Sequence, residues 1–325
     1  MIDIYNRKID YIRISVTDRC NLRCIYCMPE SGISFFSHEM LLTYEEITQL
    51  CELFVKTGIS KVKITGGEPL VRKDLNKLIK SIKDIDGINN ITLTTNGILL
   101  EEQLDDLIKS GLDAVNISID TLREDRYREI TRVGEVHKVI RGIYKALKYK
   151  NLKVKLNYVP IKGKNEDEII DIINLTKHKD LSVRFIELMP IGLGKDMAGY
   201  SDEEIISIIE NKIGKMTPYK GKLGNGPSNY FSLDGYKGKI GFISAVSHKF
   251  CENCNRVRLT SDGFLKKCLQ YEYGCDLKSM LRSGKSNDEI LKIIEETIYN
   301  KPKNHHFNKE NEKNSETKAM FQIGG

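Results

Sequence analysis

Short runs of alternating apolar and polar residues recur near residues 10–16, 60–65, 89–95, 113–119, 153–159 and 182–188, and most are followed by apolar residues at helical spacing. Six strand–helix units of this kind predict parallel strands. Helix boundaries agree with that reading: Thr43-Tyr-Glu-Glu46 and Ser201-Asp-Glu-Glu204 have capping-box spacing, and Gly58 and Gly111 stand where helices should stop. Either an open doubly wound sheet or an incomplete (β/α) barrel satisfies the pattern, and both place their chemistry at the C-terminal ends of the strands.

Those ends are polar or glycine-rich. The first strand leads into Thr17-Asp-Arg-Cys20, the second into Thr65-Gly-Gly-Glu-Pro69 and the third into Thr94-Thr-Asn-Gly97. The fourth ends around Asn116-Ile-Ser118, the fifth carries Lys155 and Asn157, and the sixth runs from Arg184 through Glu187 to Met189-Pro190. One such exit is ordinary turn chemistry. Six together, one beside a cluster of cysteines, read as a site.

Six of the eight cysteines form two triplets, Cys20, Cys24 and Cys27, then Cys251, Cys254 and Cys268. Three thiolates on a 4Fe-4S cube leave one iron open to a small molecule, so each triplet is a candidate cluster site. For the second triplet, zinc is the rival, with Cys275 as fourth ligand. Cys51 falls on one apolar helical face with Ile47, Leu50 and Phe54 and is expected to be structural. The composition, 40% hydrophobic and 30% charged over 325 residues, fits a soluble chain with a full core and an appended module. No apolar run reaches membrane-spanning length, and the N-terminus lacks an export pattern, so a cytoplasmic location is expected. A formal charge of +6, with basic residues dispersed among 45 acidic ones, points to a basic pocket for a small polyanion as readily as to nucleic acid.

The loop Cys20-x-x-x-Cys24-x-x-Cys27, with Tyr26 before its last cysteine and Thr65-Gly-Gly-Glu-Pro69 after the second strand, resembles the radical S-adenosylmethionine superfamily. Within it, Cys24-Ile-Tyr-Cys-Met-Pro29, Leu93-Thr-Thr-Asn-Gly97, Arg184-Phe-Ile-Glu-Leu-Met-Pro190, Phe250-Cys-Glu-Asn-Cys-Asn-Arg-Val-Arg-Leu259 and the terminal Gly324-Gly325 resemble the GTP 3′,8-cyclase family of molybdenum cofactor biosynthesis.

The resemblance implies a three-quarter (β/α)6 barrel over residues 1–213 carrying one 4Fe-4S cluster on Cys20, Cys24 and Cys27. It implies a small β-rich domain over 214–300, with strands at 229–235, 239–246 and 256–265, bringing a second cluster on Cys251, Cys254 and Cys268 over the barrel mouth. Residues 301–325 follow as a polar connector, with the adjacent His305 and His306 expected in solvent, and a Gly-Gly tail. Tyr26, Gly67, Ser118 and Met189 match the family's contacts to S-adenosylmethionine. Gly66 and Gly67 are expected where the backbone passes close to a ligand. Arg13, Lys63, Thr94, Lys155, Arg256 and Arg258 match its contacts to GTP, with Lys61 and Arg184 as further candidates. The family has arginine where this chain has Lys63, which keeps the charge and loses the bidentate fork. Arg256, Arg258, Gly324 and Gly325 are implied to serve cyclisation directly. An external one-electron reductant and product transfer to cyclic pyranopterin monophosphate synthase are implied, with neither nucleic acid nor membrane as partner, for a monomer or homodimer.

Overall fold

The computed structural model describes residues 1–33, 35–221, 223–307 and 316–323. Strands and helices alternate as β1 (Tyr11–Ser15), α1 (Tyr44–Lys56), β2 (Lys61–Thr65), α2 (Leu75–Lys83), β3 (Asn90–Thr95), α3 (Leu100–Lys109) and β4 (Ala114–Ser118). They continue as α4 (Glu124–Thr131), α5 (Val136–Ala146), β5 (Lys153–Tyr158), α6 (Ile169–Asn174), β6 (Ser182–Ile186) and α7 (Asp202–Lys212). All six strands fall within the runs read from the sequence.

Both expected capping boxes form. Thr43 and Ser201 each accept from the main-chain N–H three residues on, while Glu46 and Glu204 accept from the cap N–H in return. Each cap contributes about 1 kcal/mol. Gly58 and Gly111 follow the ends of α1 and α3 with φ of +90° and +101°, a conformation costly for other residues.

The two faces of the sheet divide the labour. Ile12, Ile14, Val62 and Ile64 point outward and are buried with Ile47, Leu50, Cys51 and Phe54 of α1, as the apolar helical face predicts. The alternate positions, Arg13 and Lys63 among them, face inward. A closed (β/α)8 barrel fills its interior with layers of branched apolar side chains. Here polar groups occupy that face, so a cavity remains.

The C-terminal segment adds β7 (Met216–Pro218), β8 (Asn229–Leu233), β9 (Ile240–Ile243), β10 (Arg256–Leu259), β11 (Phe264–Lys266), β12 (Gly274–Asp276), α8 (Leu277–Arg282) and α9 (Asn287–Tyr299). The β-rich part expected after residue 214 is present, but its strands do not stack as a layer over the mouth. They lengthen the barrel sheet at both edges, in the order β12-β11-β10-β1-β2-β3-β4-β5-β6-β9-β8-β7. β10 runs parallel to β1 and β9 parallel to β6, with antiparallel hairpins outside them. The expected run 256–265 is broken at Thr260-Ser-Asp-Gly263, where Gly263 has φ +84° and Thr260 Oγ1 accepts from Phe264 N–H. Ile290, Ile294 and Ile298 of α9 join the same core as α1, so the packing is continuous. Among the described residues no helix is long and apolar enough to cross a membrane.

Candidate active site

One cavity of about 330 Å³ lies along the inner face of the sheet, and the thiols of both triplets line it. The first triplet sits on the loop after β1. Arg132, itself at φ +61°, donates to the carbonyls of Arg23 and Met28 and pins this loop to the end of α4. Burial pushes the Cys20 thiol up to about 11, aided by Glu68, and Cys27 up to about 12, aided by Cys20. Cys24 lies well above its ordinary value through burial and the charges of Cys27, Asp120 and Cys20. Three half-buried thiols that line one cavity and repel one another's ionisation suit a bound cationic centre, which deprotonates its coordinating thiols outright. The donor set therefore fits an iron–sulfur cluster on three cysteines.

Gly66 and Gly67 hold that loop against the barrel. A Cβ at Gly66 would lie 2.6 Å from the Thr17 carbonyl oxygen, and one at Gly67 would lie 2.4 Å from that of Arg19. Both glycines also line the cavity, and their close approach to the cysteine loop is sealed by Gly67 N–H to Thr17 O at 2.7 Å and Glu68 N–H to Arg19 O at 2.8 Å. Glu68 is buried and accepts from Leu70 N–H, Thr95 Oγ1 and Asn96 N–H. Burial nevertheless raises it to about 7.

Tyr26, Gly67, Ser118 and Met189 all line the cavity with the first triplet. Tyr26 donates to Asp120 Oδ2 at 2.6 Å, and Asp120 Oδ1 accepts from Val159 N–H at 2.9 Å, tying the cysteine loop to the exits of β4 and β5. Burial lifts Asp120 to about 6. Asp120 was missed in the sequence; it stands two residues beyond Ser118, where the strand-exit pattern could have been carried further.

Cys251, Cys254 and Cys268 face the same cavity. Cys275 does not: it lies in β12, and its sulfur accepts from Thr297 Oγ1 at 3.3 Å. That placement removes Cys275 as the fourth thiol of a closed zinc site. Burial opposes ionisation of Cys254, but Lys301, Arg256 and Arg7 outweigh it and bring the thiol down to about 7. Arg7 is a second residue the sequence did not flag. Buried and paired with Asp3 at 2.6 Å, its guanidinium donates to the carbonyls of Cys251, Lys301, Pro302 and Lys303.

Residues 301–307 are therefore built into the protein, not a solvated connector. His305, expected in solvent, is buried and lines the cavity, while His306 Nδ1 lies 2.9 Å from Tyr271 Oη. Burial and the nearby Lys249 push His305 down to about 4.

The candidate GTP contacts are mostly gathered. Strand register sets Arg258, Arg13 and Lys63 side by side across β10, β1 and β2, and Thr94, Arg184 and Arg256 line the same cavity. Burial lowers Arg13 to about 10, with Arg256 and Arg184 adding to the effect. Lys63 falls well below its usual value through burial and the cations Arg13, Arg184 and Arg256, and Arg258 through burial, Arg13 and Arg256. Cations crowded in a buried space suit a polyanion. Two candidates are placed elsewhere. Lys61 is held by Asp10 at 2.6 Å outside the cavity. Lys155 donates to the Leu223 carbonyl in a side pocket shared with Arg184 and Tyr230, where burial lowers it to about 7. Gly324 and Gly325 lie outside the described residues.

Comparison with known proteins agrees with this geometry. Residues 14–176 match the Radical SAM superfamily, and residues 181–307 match Molybdenum Cofactor Synthesis C. The GTP 3′,8-cyclases of Clostridium perfringens strain 13 and Clostridium botulinum strain Langeland are each 48% identical, over 100% of both chains. That of Lactiplantibacillus plantarum is 44% identical over 94% of this chain and 92% of its own. Among solved structures, Streptococcus suis SuiB bound to S-adenosylmethionine shares the fold with a TM-score of 0.61 at 14% identity, covering 87% of this chain and 65% of that one. With two matched regions and relatives aligned end to end, the chain belongs to the GTP 3′,8-cyclase family of the radical SAM superfamily.

Proposed function

We propose that this chain converts GTP to (8S)-3′,8-cyclo-7,8-dihydroguanosine 5′-triphosphate, the first step of molybdenum cofactor biosynthesis. The observation that carries the reading is the single cavity lined by two cysteine triplets and a girdle of buried cations. When bound, an iron–sulfur cluster on Cys20, Cys24 and Cys27 together with S-adenosylmethionine supplies a 5′-deoxyadenosyl radical able to take a ribose hydrogen. Tyr26, Gly67, Ser118 and Met189 hold the S-adenosylmethionine, with Asp120 orienting Tyr26. Cys251, Cys254 and Cys268 would hold a second cluster, beside which the guanine would sit.

Arg13, Lys63, Thr94, Arg256 and Arg258, joined by Arg184, take the triphosphate. Lys155 reaches it on exchanging the Leu223 carbonyl for a phosphate oxygen. The roles of Gly324 and Gly325 in cyclisation rest on the family resemblance. No acid–base pair is assigned, because the residues position and shield a reaction driven by the cofactor. The protein works in the cytoplasm with an external one-electron reductant, as a monomer or homodimer, and passes its product to cyclic pyranopterin monophosphate synthase.

The test is an anaerobic incubation of reconstituted protein with GTP, S-adenosylmethionine and dithionite, read by chromatography and mass spectrometry. The hydrogen atom leaving the ribose is balanced by an electron and a proton returned to the ring, so the product is an isomer of GTP and must be separated by retention. GTP deuterated at C3′ should give deuterated 5′-deoxyadenosine alongside that isomer. Cleavage of S-adenosylmethionine with no new nucleotide refutes the assignment.

A further inference from the structure

The segment 301–307 contains a group that none of these roles uses. Arg7 fixes its main chain at three successive carbonyls, and the His305 main-chain N–H points at the Cys251 sulfur. The imidazole above that anchor is 5% exposed, lines the cavity and lies 4.6 Å, centre to centre, from the Phe307 ring. Among the described residues neither Nδ1 nor Nε2 makes a hydrogen bond of good geometry, and the nearest polar neighbour along the main chain is Ala245. A histidine ring always carries at least one donor, and a neutral one carries an acceptor as well. Buried polar atoms left unmet are rare in native folds and mark places where something else completes them.

The surroundings favour a flat heterocycle over a phosphate as that partner. Phe307 lies against the imidazole and Phe250 lines the same cavity, and although Lys249 and Lys301 stand near the ring, the aligned row of cations suited to phosphates is Arg258, Arg13 and Lys63 across β10, β1 and β2. We propose that His305 is a substrate-contacting residue that hydrogen-bonds the edge of the purine base while Arg13, Lys63 and Arg258 hold the triphosphate. This inference rests on the proposed GTP chemistry and adds a specificity-determining contact to it.

The test is equilibrium dialysis of anaerobically reconstituted holoenzyme with GTP and, separately, with inorganic triphosphate, which has the charges and no base. His305→Phe keeps a flat ring and loses both nitrogens. It should weaken GTP about tenfold or more, the effect of losing a buried hydrogen bond, and leave triphosphate binding and iron content at wild-type levels. His305→Asn, with a donor and an acceptor on a shorter arm, should recover part of the loss. Unchanged GTP affinity in the Phe variant overturns the proposal. Equal weakening of both ligands, or loss of iron in both variants, also overturns it by showing a structural role. A wild-type protein that binds triphosphate and ignores GTP instead defeats the underlying functional reading.

Discussion

Removing the Arg7 guanidinium tests how the second triplet is held in place. Arg7 and Asp3 are 6% and 3% exposed, and the guanidinium bonds Asp3 together with four main-chain carbonyls from two segments far away in sequence. Breaking a buried ion pair costs about 3–5 kcal/mol, and the unmet carbonyls add less than their sum because water can enter from the cavity. An unfolding entropy of about 2.1 cal/mol/K per residue gives about 0.7 kcal/mol/K for this chain, so Arg7→Ala should lower Tm by about 4–7 °C. The damage should also be local. With 301–303 released from Cys251 and one cation withdrawn from Cys254, reconstituted iron should fall from about eight toward about four per chain while S-adenosylmethionine cleavage persists. Anaerobic calorimetry and iron analysis read both quantities. In the Asp3→Asn/Arg7→Ala double variant the losses should sum to less than the two singles. An Arg7→Ala protein with full iron and a Tm within about 1 °C of wild type would refute the reasoning.

Three other expectations follow from the geometry. Cys268→Ala should lose about four irons and Cys275→Ala none, since only Cys268 faces the cavity; one equivalent of zinc in wild-type protein would contradict this. Cys24→Ala should abolish S-adenosylmethionine cleavage, whereas Arg256→Ala should keep both clusters and uncoupled cleavage while GTP turnover collapses; full turnover in Arg256→Ala would remove Arg256 from the substrate site. For Glu68, raised by burial to about 7, the folded state holds its proton more tightly than the unfolded state, so its contribution to stability is complete below pH ~4.5 and is lost as pH rises to about 7. Thermal unfolding from pH 5 to pH 8 should show a falling component in wild type that Glu68→Gln lacks, and identical slopes would contradict it.

The barrel was legible because each strand alternates between an outward apolar set and an inward polar set, as Ile12 and Arg13 show on β1. The cluster loop and the Gly-Gly-Glu turn were legible as spacing. What escaped was long-range. Lys61 and Lys63 share a face of β2, yet Lys61 stands at the strand's first position, where Asp10 holds it, while Lys63 reaches the cavity. His305 stands in a polar stretch whose burial depends on Arg7, a residue near the opposite end of the chain. Glycine at 66 and 67 is legible as a place of close approach to a ligand, whereas its tight packing against the cysteine loop is visible only in the fold. The split of residues 256–265 into β10 and β11 turned on Gly263, whose positive φ competes with an otherwise strand-like run.

The way the sheet is completed sets an order on its synthesis. The edge of β6 is covered soon after it emerges, because β9 follows closely, but the edge of β1 waits for β10. Asp10 and Asn255, whose side chains meet at that seam, are 245 positions apart. At ordinary translation rates of about 5–20 residues per second the ribosome needs on the order of 10–50 s to bridge that interval, and meanwhile the nascent chain offers an unpaired edge to any neighbour. A fragment ending before Arg256 keeps that edge bare indefinitely, and should precipitate under conditions where the full chain stays dispersed.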